Sequence, residues 1–242
     1  MTARDTRPLF DRKTDSLAEK AYGVLEEMIV VGDLAPGTRW TETALSQKIR
    51  VGRTPTRAAL LRLAFQKLVR IAPREGVFIS QIDYQGQLKI IQARREIEHL
   101  IVSQAAQWAN DSERAAFRKL ADDFVAIKRE DQLRAYMRLH FVLTSQLGEA
   151  SRNGYAAEFY VMLQTLARRF IYFHRNRFPD FLKVRDFHIE QIAAVVEGDP
   201  QRAQIAAQAR NDYAETFARN ILMDLIVSSE VTVAPARQKP HR

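Results

Sequence analysis

The 242-residue sequence contains no cysteine. That excludes disulfides and thiolate metal sites and is compatible with a cytoplasmic address. No apolar run approaches the roughly 18–20 residues needed to cross a bilayer. The opening residues, Met1 to Asp5, lack the apolar segment of a secretory signal. The expectation is a cytoplasmic protein without a membrane span. Nucleophile motifs and glycine-rich phosphate loops are also missing, which leaves catalysis with little behind it. The most telling absence is local. Between Thr43 and Arg74 there is no Asp or Glu, yet Lys48, Arg50, Arg53, Arg57, Arg62, Lys67, Arg70 and Arg74 all fall there. A solvated helix face mixes both signs, so a run of one sign is a footprint for a polyanion.

What is present fits that partner. With 46% hydrophobic residues there is ample material for a core, and the net charge of +8 favours polyanions. The stretch from Thr41 to Phe65 holds two short helical patterns around a tight connection. Thr41 can cap the first, whose apolar stripe is Ala44, Leu45 and Ile49. Thr54 is expected as N-cap of the second, with Pro55 at its first helical position. Ala59, Leu60 and Leu63 then point inward, and Arg53, Thr56, Arg57 and Arg62 stay at the mouth and outer side. This is the pattern of a helix-turn-helix that reads the major groove.

The rest of the chain falls into place around it. Residues 1–15 carry no periodic pattern and are expected as a loose arm. Ser16 to Glu19 forms a capping box that opens a helix to about Val31. A turn follows from Gly32 to Gly37, then a short strand over 38–40. Segments 68–72 and 77–80 flank a turn at 73–76 and make a hairpin, a wing with the basic tip Arg74. From Tyr84 onward the periodicity is helical, with helices expected over 84–110, 112–129, 132–150, 155–174, 180–197 and 200–227. Pro179 and the pair Asp199-Pro200 mark boundaries. The expected organisation is an arm (1–15), a winged helix-turn-helix (16–81), an all-α bundle for ligand binding and dimerisation (82–228) and a disordered tail (229–242). The fold class is mainly α.

These residues resemble the GntR-type winged-helix regulators, in the FadR-like subgroup with an FCD-type helical effector domain. In the first domain the likeness rests on Tyr22, Gly32, Pro36-Gly37, Glu42, Leu45, Val51, Arg53-Thr54-Pro55, Arg57, Ala59-Leu60, Arg62-Leu63, Leu68 and Gly76. In the second it rests on Arg94, Ile97-Glu98, Leu139-His140, His188, Ile192, Gly198-Asp199 and Ala203. The resemblance implies a homodimer on a pseudo-palindromic double-stranded DNA operator, controlled by a small-molecule effector. It implies DNA contacts from Thr43, Arg53, Thr54, Thr56, Arg57, Arg62, Arg74 and Gly76, with Arg53 and Arg57 at or near base edges. Three positions depart from the family pattern: Gly52 stands for a usual serine, Arg50 for a usual glycine, and Ala58 for an acidic residue that could orient Arg57.

Many relatives hold a divalent metal with an Asp, a His four residues later and two further histidines. Here His140 and His188 fill two of those positions, while Tyr136 and Arg210 stand at the other two. Two imidazoles beside a permanent cation make a poor divalent site, so no tightly held metal is expected. The resemblance places Arg94, Tyr136, His140, His188 and Arg210 in one effector pocket. A guanidinium can bind a carboxylate directly, so the expected ligand is a small organic or sugar acid. The plainer alternative pairs Arg210 with a core acid such as Glu98. His99 is expected at the surface or an interface, and His174 at a helix C-terminus where its charge complements the dipole. His241 lies in the tail. The aromatic-rich zone from Phe170 to Phe187 is expected as core packing, and Arg168, Arg169, Arg175 and Arg177 as a solvated face. The helix from Tyr84 is the expected relay between wing and Arg94. An effector-controlled regulator, acting as a repressor, is the leading function. Its alternatives are a ligand-independent DNA-binding protein and an enzyme using the His140–His188 pair.

Overall fold

The structure, a computed structural model, describes residues 16–178 and 180–231. The expected arm, the boundary at Pro179, His241 and the tail beyond Val231 lie outside the described residues. Helix α1 (Leu17–Val30) opens on Ser16, whose Oγ accepts from the Glu19 amide at 3.2 Å. The Glu19 carboxylate does not complete a capping box. It accepts instead from Arg62 of α3. Strand β1 (Arg39–Trp40) leads to Thr41, which caps α2 (Glu42–Ile49) through its hydroxyl as its position predicts.

Helix α3 spans Arg53–Phe65 and begins two residues earlier than expected. Gly52, not Thr54, is its N-cap, and it offers no side-chain hydrogen bond. Thr56 also departs from expectation. Its hydroxyl turns back to the carbonyl of Gly52 at 2.9 Å, and the residue is buried. A β-branched hydroxyl in the first turn satisfies itself locally rather than staying at the mouth. Strands β2 (Val69–Ala72) and β3 (Gly76–Ile79) form the wing hairpin, and β1 pairs on the far side of β3 in an antiparallel sheet of order β1-β3-β2. Tyr22, Leu25, Ile29, Leu45, Leu60, Leu63 and Val77 close the core of this head.

The second domain is all helical: α4 (Gln87–Trp108), α5 (Asp111–Val125), α6 (Leu133–Ala150), α7 (Gly154–Phe173), α8 (Phe181–Glu197) and α9 (Pro200–Val231). Asn110 and Glu113 form a full capping box for α5, and Gly198 adopts the left-handed conformation that ends α8. Helix α4 is the central element, packed against α6, α7, α8 and α9. Helix α9 continues through Ser229 to Val231, past the point where the sequence suggests a tail. Of the aromatic zone, Phe170, Phe178 and Phe181 are buried in the core, Tyr172 and Phe187 are half-buried, and Phe173 is exposed, contrary to expectation. Arg168 and Arg169 are buried too, which corrects their reading as a solvated face, whereas Arg175 and Arg177 are exposed. His174 packs against Phe170, Phe173 and Tyr84. Burial and the neighbouring Arg177 lower its pKa, which works against the charge expected at a helix C-terminus.

Two backbone positions set the head's geometry. Arg50 ends α2 in the left-handed region at φ 56°, which a side chain adopts at some cost. Gly76 has φ 114°, and a Cβ there would lie 2.6 Å from the carbonyl oxygen of Trp40. The glycine is therefore required by β1, inside the protein. Gly76→Ala is expected to lower head stability by at least ~1 kcal/mol, and Arg50→Gly to raise it by about 0.5–1 kcal/mol. Urea midpoints followed by Trp40 fluorescence measure both; a neutral Gly76→Ala would refute the backbone contact.

Candidate DNA-reading face and buried effector pocket

The first turn of α3 presents Arg53, Thr54 and Arg57, all exposed, with Arg50 and half-buried Thr43 beside them on α2 and its turn. None of the three arginines has a hydrogen-bond or ion-pair partner among the described residues. Arg74 is exposed at the hairpin tip. Charge left unpaired at a helix start and a wing tip is free to meet phosphate or a base edge. Arg62 is different: it bonds Glu19 at 2.9 Å and lies 3.9 Å above the ring of Tyr22, so its charge is already engaged. Tyr22 in turn donates to Gln66 at 2.9 Å and anchors the end of α3. Arg70 stacks 4.3 Å over Phe78, on the outer side of the wing.

In the bundle, α4 contributes Arg94 and Glu98 four residues apart, α6 contributes Tyr136 and His140 at the same spacing, α8 carries His188 and α9 carries Arg210. That spacing puts each pair on one helix face. All six are buried, and the structure brings the five expected pocket residues into one polar core. The two imidazole rings lie 4.5 Å apart between centroids, and the Tyr136 hydroxyl is hydrogen-bonded to His188 Nδ1 at 3.1 Å. Arg210 Nη2 donates to Glu98 Oε1. The plainer alternative thus holds for Arg210, whose fork is turned to an internal acid rather than offered to a ligand. Arg94 donates through Nε to Asn211 Oδ1 at 2.9 Å, while its Nη1 and Nη2 have no partner among the described residues. Asn211 donates to the other oxygen of Glu98 at 2.8 Å.

The electrostatics follow from two cations and one anion in a dry core. Burial, then the adjacent Arg210, lowers the Arg94 pKa to about 10. Burial acts against the Glu98 carboxylate, but Arg210 and Arg94 overcome it and hold the pKa below its ordinary value. Burial drives both histidines well below their ordinary range, assisted at His140 by His188 and at His188 by Arg210. The Tyr136 pKa is raised by burial, so its hydroxyl stays protonated. The donor set does not fit a divalent metal. Two neutral imidazoles stand beside a protonated phenol and an arginine, and Glu98 is held by Arg210 and Asn211. Among the described residues no cluster of three or more His, Asp or Glu side chains could hold an ion.

Sequence reasoning missed the helpers. Gln164 Nε2, Gln191 Oε1 and Arg210 Nε are buried without partners among the described residues. Tyr160 and Gln191 both approach Glu98 at 3.4 Å. Also missed was a fully buried ion pair between Glu26 of α1 and Arg168 of α7. A signal existed: each charged residue falls inside its helix's apolar stripe, Glu26 beside Tyr22, Leu25 and Ile29, and Arg168 beside Ala167 and Ile171.

A winged helix-turn-helix with a free basic edge, joined to a helical bundle with a charged core, defines a DNA-binding protein with an effector domain. Residues 17–79 match the family described as bacterial regulatory proteins, gntR family, and residues 89–212 match the FCD domain. The chain belongs to the GntR family of regulators and carries an FCD effector domain. Similar curated proteins include the HTH-type transcriptional repressor RspR of Escherichia coli (strain K12), 29% identical over 100 residues, 41% of this chain and 44% of that protein. Another is an HTH-type transcriptional regulator in an unstable DNA locus of Streptomyces ambofaciens, 39% identical over 62 residues, 26% of each. The matches thus span less than half the length of these relatives. Among solved structures, E. coli McbR/YncC superposes with a TM-score of 0.67 at 16% identity, covering 86% of this chain and 99% of that one. A GntR regulator from Rhodococcus sp. RHA1 gives 0.61 at 21% identity, over 85% and 99%. At those identities the likeness shows the fold. Family and relatives are transcriptional regulators, not enzymes, so the catalytic alternative is set aside. No described helix is long and apolar enough to cross a membrane.

The buried histidines give a pH signature. In the unfolded chain each takes a proton near pH ~6.5, and in the folded chain each resists it. As pH falls through that value the unfolded state binds more protons, so stability falls by up to ~1.4 kcal/mol per histidine per pH unit. Burial raises the Glu26 pKa against the pull of Arg168, and that group acts with the opposite sign in its own window above the ordinary carboxylate value. Urea denaturation between about pH 7.5 and 5.5 should show wild type losing more stability than a His140→Asn, His188→Asn double variant. Equal slopes would mean that the rings are already charged in the folded state.

Proposed function

We propose that the protein binds a two-fold operator in duplex DNA as a homodimer and represses transcription until a small organic or sugar acid enters the bundle. The observation that carries the effector half is Arg94, a fully buried guanidinium with both terminal nitrogens unpartnered among the described residues. A carboxylate accepts two parallel bonds from such a fork and balances the second buried cation. The unpartnered Gln164 Nε2 and Gln191 Oε1 suit hydroxyl groups on the same ligand. Tyr136, His140 and His188 form the neutral wall, and Arg210 holds Glu98 out of competition.

On the head, Arg53 and Arg57 take base edges, Thr43 and Thr54 take phosphates, and Arg74 follows the backbone beside the wing. Thr56, Arg62 and Gly76 serve this face from within. For the homodimer, Leu100 and Trp108 on α4 and Tyr155 and Phe159 on α7 stand exposed, and Trp108 and Tyr155 line one shallow hollow. Such aromatic surface suits a second copy of the chain. The repressor role rests on RspR, a relative named as a repressor. A ligand-independent DNA-binding protein is the second reading, favoured by the Arg210–Glu98 pair, which gives those two charges an internal partner.

Duplexes enriched from a random-sequence pool should converge on a two-fold motif, with affinity falling steeply as salt rises. Arg53→Ala or Arg57→Ala should each weaken binding by about 1–3 kcal/mol. Equal affinity for every duplex would overturn sequence-specific recognition. For the effector, a thermal-melt screen against hydroxy and sugar acids should be run with a chelator and with added zinc or nickel. An acid at a hundred times its Kd adds about 2.7 kcal/mol. A chelator-resistant shift that disappears in Arg94→Met is expected. A shift that needs metal would overturn the metal-free pocket, and no shift at all would favour the ligand-independent reading.

A further inference from the structure

The two domains meet through charge as well as apolar surface. On α1, Glu26 is fully buried and its Oε1 accepts from Arg168 Nη2 and, at 3.0 Å, from the Thr165 hydroxyl, both on α7. Arg168 Nη1 donates at 3.2 Å to the carbonyl of Met137 on α6, and its guanidinium sits 5.2 Å from the ring centroid of Phe141. Phe141 belongs to the apolar core of the head although it is carried by α6. Around this centre lies a more exposed layer. Arg134 bonds Glu27 and Asp33, and Arg138 bonds Glu27. Arg169 donates to the Ser80 carbonyl at the end of the wing. A cleft of about 840 Å³ opens beside the interface, lined by Tyr22, Arg62 and Gln66 from the head and by Phe141, Val142 and Ser145 from α6.

We infer that the Glu26–Arg168 pair, with Thr165 and the Met137 carbonyl, is the latch that couples the effector pocket to the DNA-reading head. Met137 lies between Tyr136 and His140 on α6, so the segment gripped by Arg168 is also the wall of the pocket. A ligand that shifts Tyr136 and His140 shifts Met137, and the strain arrives at a guanidinium that is already bonded to α1. Helix α1 carries it onward, because Tyr22 holds Gln66 and Arg62 of α3 and Glu19 holds Arg62. A buried ion pair has few intermediate arrangements, since a separated charge in a dry interface is strongly disfavoured, so the latch acts as a two-state element. This route runs beside the expected relay along α4. What the latch transmits rests on the effector reading above, whereas the coupling itself does not.

The test uses the full chain with 5-fluorotryptophan incorporated, so that 19F NMR separates Trp40 in the head from Trp108 in the bundle. The Trp40 resonance then reports the head, and far-ultraviolet circular dichroism is dominated by the bundle helices. Without any effector, the two melting transitions should coincide, and the duplex enriched above should raise both together, as linkage requires of coupled domains. In Glu26→Gln the transitions should separate, the head melting first, and the duplex should raise only the Trp40 transition. Thr165→Val, which keeps the charges and removes one hydroxyl, should separate them less and serves if Glu26→Gln does not fold. A loss of global stability alone would lower both transitions together. If both variants melt as one unit and the duplex still raises both transitions, the latch is refuted. Should no duplex bind, the DNA reading fails, and the separation of transitions still decides the latch. An unsuccessful acid screen touches neither arm.

Discussion

The structure is organised around an unbalanced set of charges in a dry helical core. Arg94 and Arg210 face one carboxylate, Glu98, and all three are buried. Removing an ion from water is unfavourable by several kcal/mol even after relaxation, so such a group survives only where fixed partners replace the solvent. Glu98 receives Arg210, Asn211, Tyr160 and Gln191, and is over-supplied. Arg94 donates one bond, to Asn211. Burial sets the other features of the polar core, holding the histidines neutral and the tyrosine protonated, and the excess positive charge makes the donor set hostile to a second cation. A metal would add positive charge to a site already in excess of it.

Most of the architecture was legible because its signals are local. Some helix boundaries followed caps: Ser16, Thr41 and Asp199 act through groups that reach only three or four residues. The wing was legible from its turn, and the exposed basic edge of the head from a missing sign of charge. Several errors share a cause, which is that a single chain does not announce what lies across from a side chain. Glu19 was assigned to its own helix and found Arg62 on another. Thr56 was placed at the mouth and found a carbonyl one turn back. Arg168 and Arg169, polar by type, were read as solvated, although Arg168 stands in a stripe with Ala167 and Ile171. Within the pocket the five positions came together, but their roles did not. Only the three-dimensional neighbours show that Arg210 pairs with Glu98, while the two terminal nitrogens of Arg94 have no partner among the described residues.

That pattern bears on how a head and a bundle communicate. Sequence proximity suggests the covalent route, from the wing through Tyr84 into α4 and Arg94. The structure adds a non-covalent route from residues far apart in the chain, Glu26 and Arg168, closed by the same α6 turn that lines the pocket. The two routes differ physically. A helix joined end to end transmits rotation of the whole head, and small displacements pass along it continuously. A buried ion pair resists small displacements and yields only to large ones. Together they let the head stay fixed against thermal fluctuation yet respond to a ligand that rearranges the pocket wall. A regulator needs both properties.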